Sequence, residues 1–159
     1  MKNHFTRRIL LGSAPLLSAL AQQTAAPVRE KPPALDGALV KDFVIAGHGK
    51  FEKTKSMLAD NPKLLNATWD WGGGDFETAL GGASHMGNRE IATFLVEQGA
   101  RMDLFTAAML GRLDIIQAAV SAFPNIHKSL GPHGIPMLAH AVKGGTESEE
   151  VAKYLKSLA

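Results

Sequence analysis

Residues Glu77 to Asp103 read ETALGGASHMGNREIATFLVEQGARMD, and this stretch decides the fold. Thr78-Ala79-Leu80 opens a first helix, and Ala83-Ser84 gives it a small-residue face. Gly87 stops it, because a helix commonly ends in a left-handed residue and glycine takes that conformation without strain. Asn88 is placed to cap a second helix, with Arg89 and Glu90 in its first turn. Ile91, Phe94 and Leu95 fall at i, i+3 and i+4, one apolar stripe, and Gly99 ends the helix. Helices of about three turns are marginal alone in water, so each stripe needs a neighbour.

The chain supplies copies. Leu104 to Val120, LFTAAMLGRLDIIQAAV, places Ala107-Ala108 where Ala83-Ser84 stood and Gly111 where Gly87 stood. Ile115, Ile116, Ala119 and Val120 form its stripe. Upstream, Asp42 to Leu58 repeats the pattern more loosely, with Ile45-Ala46, Gly49, Phe51, Thr54, Met57 and Leu58. Downstream, Met137-Leu138, His140-Ala141 and Gly144 correspond again, followed by Val151 and Leu155.

Thr78, Leu80, Ala83, Gly87, Ile91, Leu95, Gly99 and Ala100 fit a pattern that resembles the ankyrin repeat. The resemblance covers roughly residues 41 to 159 and is loosest at its two ends, as terminal repeats with one solvated face should be. It implies an all-α fold: an ankyrin-like helix-turn-helix solenoid of about four repeats, near 41–66, 75–102, 103–125 and 134–158. It further implies protein–protein recognition. The helix-stop glycines stand at 49, 87, 111 and 144, spaced by 38, 24 and 33 residues, and only the last spacing matches the family period. The surplus before repeat two, Asn66 to Glu77, predicts one enlarged hairpin or loop finger. The short middle spacing predicts that the finger before repeat three is missing.

Residues 1–21 resemble an export signal. Lys2, Arg7 and Arg8 form a basic start, a short apolar run follows, and Ala19-Leu20-Ala21 is an A-x-A cleavage site. Thr6-Arg7-Arg8-Ile9-Leu10-Leu11 resembles a twin-arginine motif, which implies a bacterial protein exported folded; an ordinary secretory signal fits as well. The apolar run is about a dozen residues, short of the roughly 20 that span a bilayer, so no stable membrane anchor is expected after cleavage. Residues 22–39, with Pro27, Pro32 and Pro33, read as a disordered linker, and 40–159 as the repeat domain. The expected location is periplasmic or secreted.

The chain carries 17 basic and 15 acidic residues. Removing Lys2, Arg7 and Arg8 with the signal leaves 14 against 15, a net −1. A nucleic-acid partner is thereby disfavoured. With no cysteine, thiolate catalysis, disulfides and cysteine-based zinc sites are excluded. There is no HExxH, no GxxxxGK[ST] and no GxSxG; Gly47-His48-Gly49-Lys50 resembles a phosphate loop but lacks its spacing. No catalytic residue, cofactor or metal is expected.

The finger holds both tryptophans. On an extended strand Trp69 and Trp71 share a face, Gly72-Gly73-Gly74 supplies a tight tip, and Asp70 and Asp75 flank it. Aromatics beside charge suit a binding hot spot, or the rings shield the stack. The candidate binding residues are Trp69, Asp70, Trp71, Asp75 and His85, with Arg89 and His133 behind them. Ser84 and His85 diverge on a helix, which argues against a nucleophile–base pair, and His140 reads as a core histidine. The function expected is a non-enzymatic scaffold in the bacterial cell envelope that binds another protein. One alternative is a small-molecule or metal-binding pocket, open to hydrolysis, gathering His85, His133, Asp70 and Asp75. A second is an assembly element in which the notch around Arg101 to Phe105 docks another copy.

Overall fold

The computed structural model describes residues 31–158; the stretch expected to be an export signal, with Arg7, Arg8, Ala19 and Ala21, and the expected linker up to residue 30 lie outside the described residues. Among the described residues the chain is mostly helical, with eight α-helices in four pairs and one small two-stranded ribbon. The pairs are α1 (Gly37–Gly47) with α2 (Phe51–Asp60), α3 (Ala79–Met86) with α4 (Arg89–Glu97), α5 (Leu104–Met109) with α6 (Leu113–Ala122), and α7 (Met137–Lys143) with α8 (Glu149–Ser157). No helix of the described residues is long and apolar enough to cross a membrane.

The helix starts follow from side-chain caps. Asp36, Thr78, Asn88 and Asp103 each accept a hydrogen bond from the backbone N–H three residues on, at 2.7–3.2 Å, which satisfies one orphan donor of the first turn. The Asp36 cap starts α1 at Gly37, inside the stretch read as linker to residue 39. Gly87 ends α3 with φ +74°, as the sequence demands. Gly49 and Gly144 do not take that conformation: α1 already ends at Gly47, and Gly144 stays right-handed with φ −68°.

The first helices form one layer in which α1 packs on α3, α3 on α5 and α5 on α7. The second helices cover it, burying Leu58 from α2, Ile91, Ala92 and Leu95 from α4, Ile116 and Val120 from α6, and Val151, Ala152 and Leu155 from α8. Phe94 is only half-buried and meets Phe51 edge-on at 5.5 Å. The core divides into two clusters, one under the first two pairs with Met109, the other under the last two.

The surplus before α3 is a hairpin of β1 (Thr68–Asp70) and β2 (Phe76–Thr78), antiparallel, with Trp69 opposite Glu77. Its tip turns through Gly72, Gly73 and Gly74, all at positive φ. Between α4 and α5 there are only residues 98–103 and no strand. In place of a finger, the Asn66 side chain accepts the Arg101 N–H at 2.8 Å. Before α7 the chain makes a small loop, in which Leu130 bridges Pro136 and the Gly131 N–H donates to Ile135 at 2.9 Å.

The packing of the first helices is not confined to consecutive pairs. Besides its neighbours α1 and α5, α3 also touches α7. Pairs two and four therefore meet, and the segments between them carry the site.

Candidate functional site

Glu77 is the centre. It sits on β2, its side chain is fully buried, and imidazoles approach it from three separate segments. His48 caps the C-terminus of α1 and reaches across the start of α3. Its path is open because residue 82 is glycine: a Cβ there would lie 2.7 Å from the His48 ring. The His48 Nδ1–H donates to the Val44 carbonyl at 2.9 Å, and Nε2 lies 3.4 Å from Glu77 Oε2. His85, on α3, puts Nε2 at 3.0 Å from Glu77 Oε1, yet the two lack hydrogen-bond alignment and both atoms are buried without a partner. The rings of His48 and His133 stand edge-on to His85 at 4.9 and 5.3 Å.

His133 comes from the loop before α7. Its backbone is left-handed, φ +59°, a conformation uncommon for a residue with a side chain. Asp75 holds it there with both oxygens, accepting the His133 N–H at 2.8 Å and Nδ1–H at 2.7 Å. His133 Nε2 is then 3.4 Å from Glu77 Oε2. The Trp71 indole N–H donates to the same oxygen at 2.8 Å.

The electrostatics follow the geometry. Burial pushes the Glu77 carboxyl up, but the close approach of His85, the Trp71 N–H and the charge of His48 outweigh it and hold the group below its ordinary range. The His133 backbone N–H holds Asp75 below its range too. For His133, burial pulls the imidazole down, while Asp75 and Glu77 raise it further, to a net rise. The group His48, Glu77, His85 and His133 offers one ligand atom each, all within 4.8 Å of one another, a donor set for a cation.

Of the residues expected to bind, His85, His133, Asp75 and Trp71 converge on Glu77. Three others do different work. Asp70 accepts the N–H groups of Gly72 and Gly74 at 2.8 and 3.2 Å and closes the finger turn, the local hydrogen bonding that short acidic side chains favour. Trp69 packs on the first core cluster with Lys41 over its ring. Arg89 donates to the carbonyls of Met109, Leu110 and Gly144, terminating α5 and α7. Arg89→Met should therefore lower stability by about 2–3 kcal/mol, since charge-assisted bonds to three carbonyls are lost. Urea unfolding checks this, and an unchanged midpoint would refute the terminating role.

Glu77 and His48 were missed from sequence. His48 stands inside a weak phosphate-loop likeness, and Glu77 is the last residue of the surplus stretch, just before the repeat pattern begins at Thr78. Its signal is Asp75-x-Glu77 on one strand face with His85 eight residues on. Ser84 is buried and bonds His140 Nδ1 at 2.8 Å, so it offers no exposed nucleophile.

Beside the cluster lies a groove of about 320 Å³, walled by Phe76 and Thr78 of β2 on one side and Leu130 and Pro132 on the other, with Asp103 and Phe105 at its floor. Phe76 and Leu130 are 60% and 64% exposed, large apolar side chains left open to solvent.

No family model and no curated protein matches the chain.

Proposed function

We propose that the chain is an ankyrin-like stack of four helix pairs that acts as a non-enzymatic interaction module in the bacterial cell envelope, exported by the signal at residues 1–21. The observation that carries this reading is the groove between β2 and the loop before α7. Among the described residues β2 is bordered by β1 alone. Because the Trp71 N–H bonds the Asp75 carbonyl, alternation along the ladder turns the backbone groups of Phe76 and Thr78 away from β1; the Phe76 N–H bonds the Gly74 carbonyl at 3.1 Å, which leaves the Phe76 carbonyl and the Thr78 N–H as the groups the edge offers to the groove. An unpaired strand edge is a template for an added strand. The occupant that fits is an extended partner segment, apolar side chains against Phe76, Phe105 and Leu130, and a lysine or arginine over Asp103.

Selection of a displayed random-peptide library against the mature chain tests this. Enriched sequences should alternate apolar and polar residues and carry a basic one, and Leu130→Asp should weaken them about tenfold or more, the effect of losing one anchor. Enrichment no greater on wild type than on Leu130→Asp would overturn the reading.

A further inference from the structure

We propose that His48, Glu77, His85 and His133 together hold one divalent transition-metal ion, with zinc the best fit. This goes beyond the interaction reading, and none of the four ligands lines the groove.

The distances come first. Zinc binds imidazole nitrogen and carboxylate oxygen at 2.0–2.2 Å, so two ligand atoms of a tetrahedral ion stand about 3.3–3.5 Å apart. His48 and His133 Nε2 each lie 3.4 Å from Glu77 Oε2, and His85 Nε2 lies 3.0 Å from Glu77 Oε1. No pair of ligand atoms is wider than 4.8 Å, so closing the set on one ion takes side-chain adjustments of about 1.3 Å at most, a small rotamer shift.

Orientation points the same way. A carbonyl and a carboxylate can only accept, so the nitrogens that bond Val44 and Asp75 are the protonated Nδ1 atoms of His48 and His133. Each ring then turns Nε2 toward Glu77. An imidazole fixed by its outer nitrogen on a carbonyl or carboxylate, with the inner nitrogen presented, is the arrangement that supports metal-bound histidine. Asp75 and the Val44 carbonyl are the supporting groups.

The unmet polar atoms are an independent observation. Glu77 Oε1 and His85 Nε2 are buried, 3.0 Å apart, and neither has a hydrogen-bond partner. Buried polar atoms are nearly always paired, so two orphans 3.0 Å apart ask for a group that lies to one side and reaches both. An ion there satisfies both. Charge agrees: a dication balances the Glu77 and Asp75 carboxylates together and leaves the imidazoles neutral, the form in which they ligate.

Donor chemistry narrows the ion. Three imidazoles and one carboxylate suit zinc and its transition-metal neighbours, while calcium and magnesium prefer oxygen alone. With four protein ligands a tetrahedral ion has no position left open, which is a structural rather than a catalytic site. The ligands come from the end of α1, from β2, from α3 and from the loop before α7. The ion would therefore fasten together the two walls of the groove.

The test uses the untagged mature chain, stripped with chelator and titrated with zinc by calorimetry and with cobalt(II) by visible absorption. One ion per chain is expected, with the intense bands of four-coordinate cobalt. His85→Gln should weaken binding by about 100-fold or more, and Asp75→Asn, which keeps every ligand, by about 10–100-fold. If His85→Gln does not fold by circular dichroism, Asp75→Asn carries the test. No saturable binding by folded wild type, or affinity unchanged in Asp75→Asn, would overturn the site. The pale spectrum of six-coordinate cobalt would overturn the closed tetrahedral form.

Discussion

Gly111→Ala is expected to destabilise the chain by about 4 kcal/mol, a large part of what holds a domain this size together. Two effects add. Gly111 follows α5 with φ +78°, and a side chain in that left-handed conformation costs about 1–2 kcal/mol. A Cβ there would also stand 2.0 Å from the Glu147 carbonyl oxygen, 2.9 Å from its carbon and 3.4 Å from Ser148 Cα. These are backbone atoms of the turn that launches α8, and no rotamer change moves them. Overpacking of this kind adds about 1–3 kcal/mol. Gly99→Ala separates the two effects, because Gly99 has φ +91° but a Cβ added there would meet nothing within 4 Å. It should lose only about 1 kcal/mol. Urea unfolding of both variants decides: equal losses would show that the close approach of α5 to the Glu147 turn does not matter.

The second large effect is a loss of stability in acid through His140. This ring is 1% exposed, packs against Phe105 at 5.2 Å, and bonds Ser84 by Nδ1 while Nε2 has no partner. Burial lowers its pKa to about 4; His85 pushes in the same direction, and Asp103 and Glu77 oppose. Because the folded value is depressed below the ordinary 6.5, the fold favours the neutral ring. That preference costs nothing above about pH 6.5. It becomes a penalty as pH falls below 6.5, and it levels off near 4, where the folded ring also takes a proton. The full drop is about 3 kcal/mol. Other groups titrate over this range, His133 with the opposite sign, so the measurement is a difference. With chelator present, the stability gap between wild type and His140→Asn should shrink by about 3 kcal/mol from pH 7.5 to 4. A gap that stays constant would refute a neutral buried His140.

The sequence disclosed the local elements because local rules produce them. Thr78, Asn88 and Asp103 cap helices by reaching three residues along the chain, and Gly87 stops one by its own backbone. The extra length before Thr78 had to go somewhere, and it makes the hairpin. The site was legible only in part. His85, His133, Asp75 and Trp71 stand out for their residue types near the finger, but their focus does not, because Glu77 looks like any charged residue at a strand end. His48 depends on the bare Cα of Gly82, a contact between pairs that periodicity does not reveal. Arg89 reads as a surface charge, yet its partners lie 20, 21 and 55 residues away. No spacing rule reaches that far.

The contact between α3 and α7 also limits how this chain can change in length. Where units touch only their neighbours, one can be duplicated or deleted and the array closes up around the change. Here an extra helix pair inserted between Glu97 and Leu104 would part Ser84 from His140, Arg89 from Gly144 and Glu77 from His133 in one step. The four pairs thus behave as an indivisible set. A pair added between them has nowhere to go without breaking all three contacts.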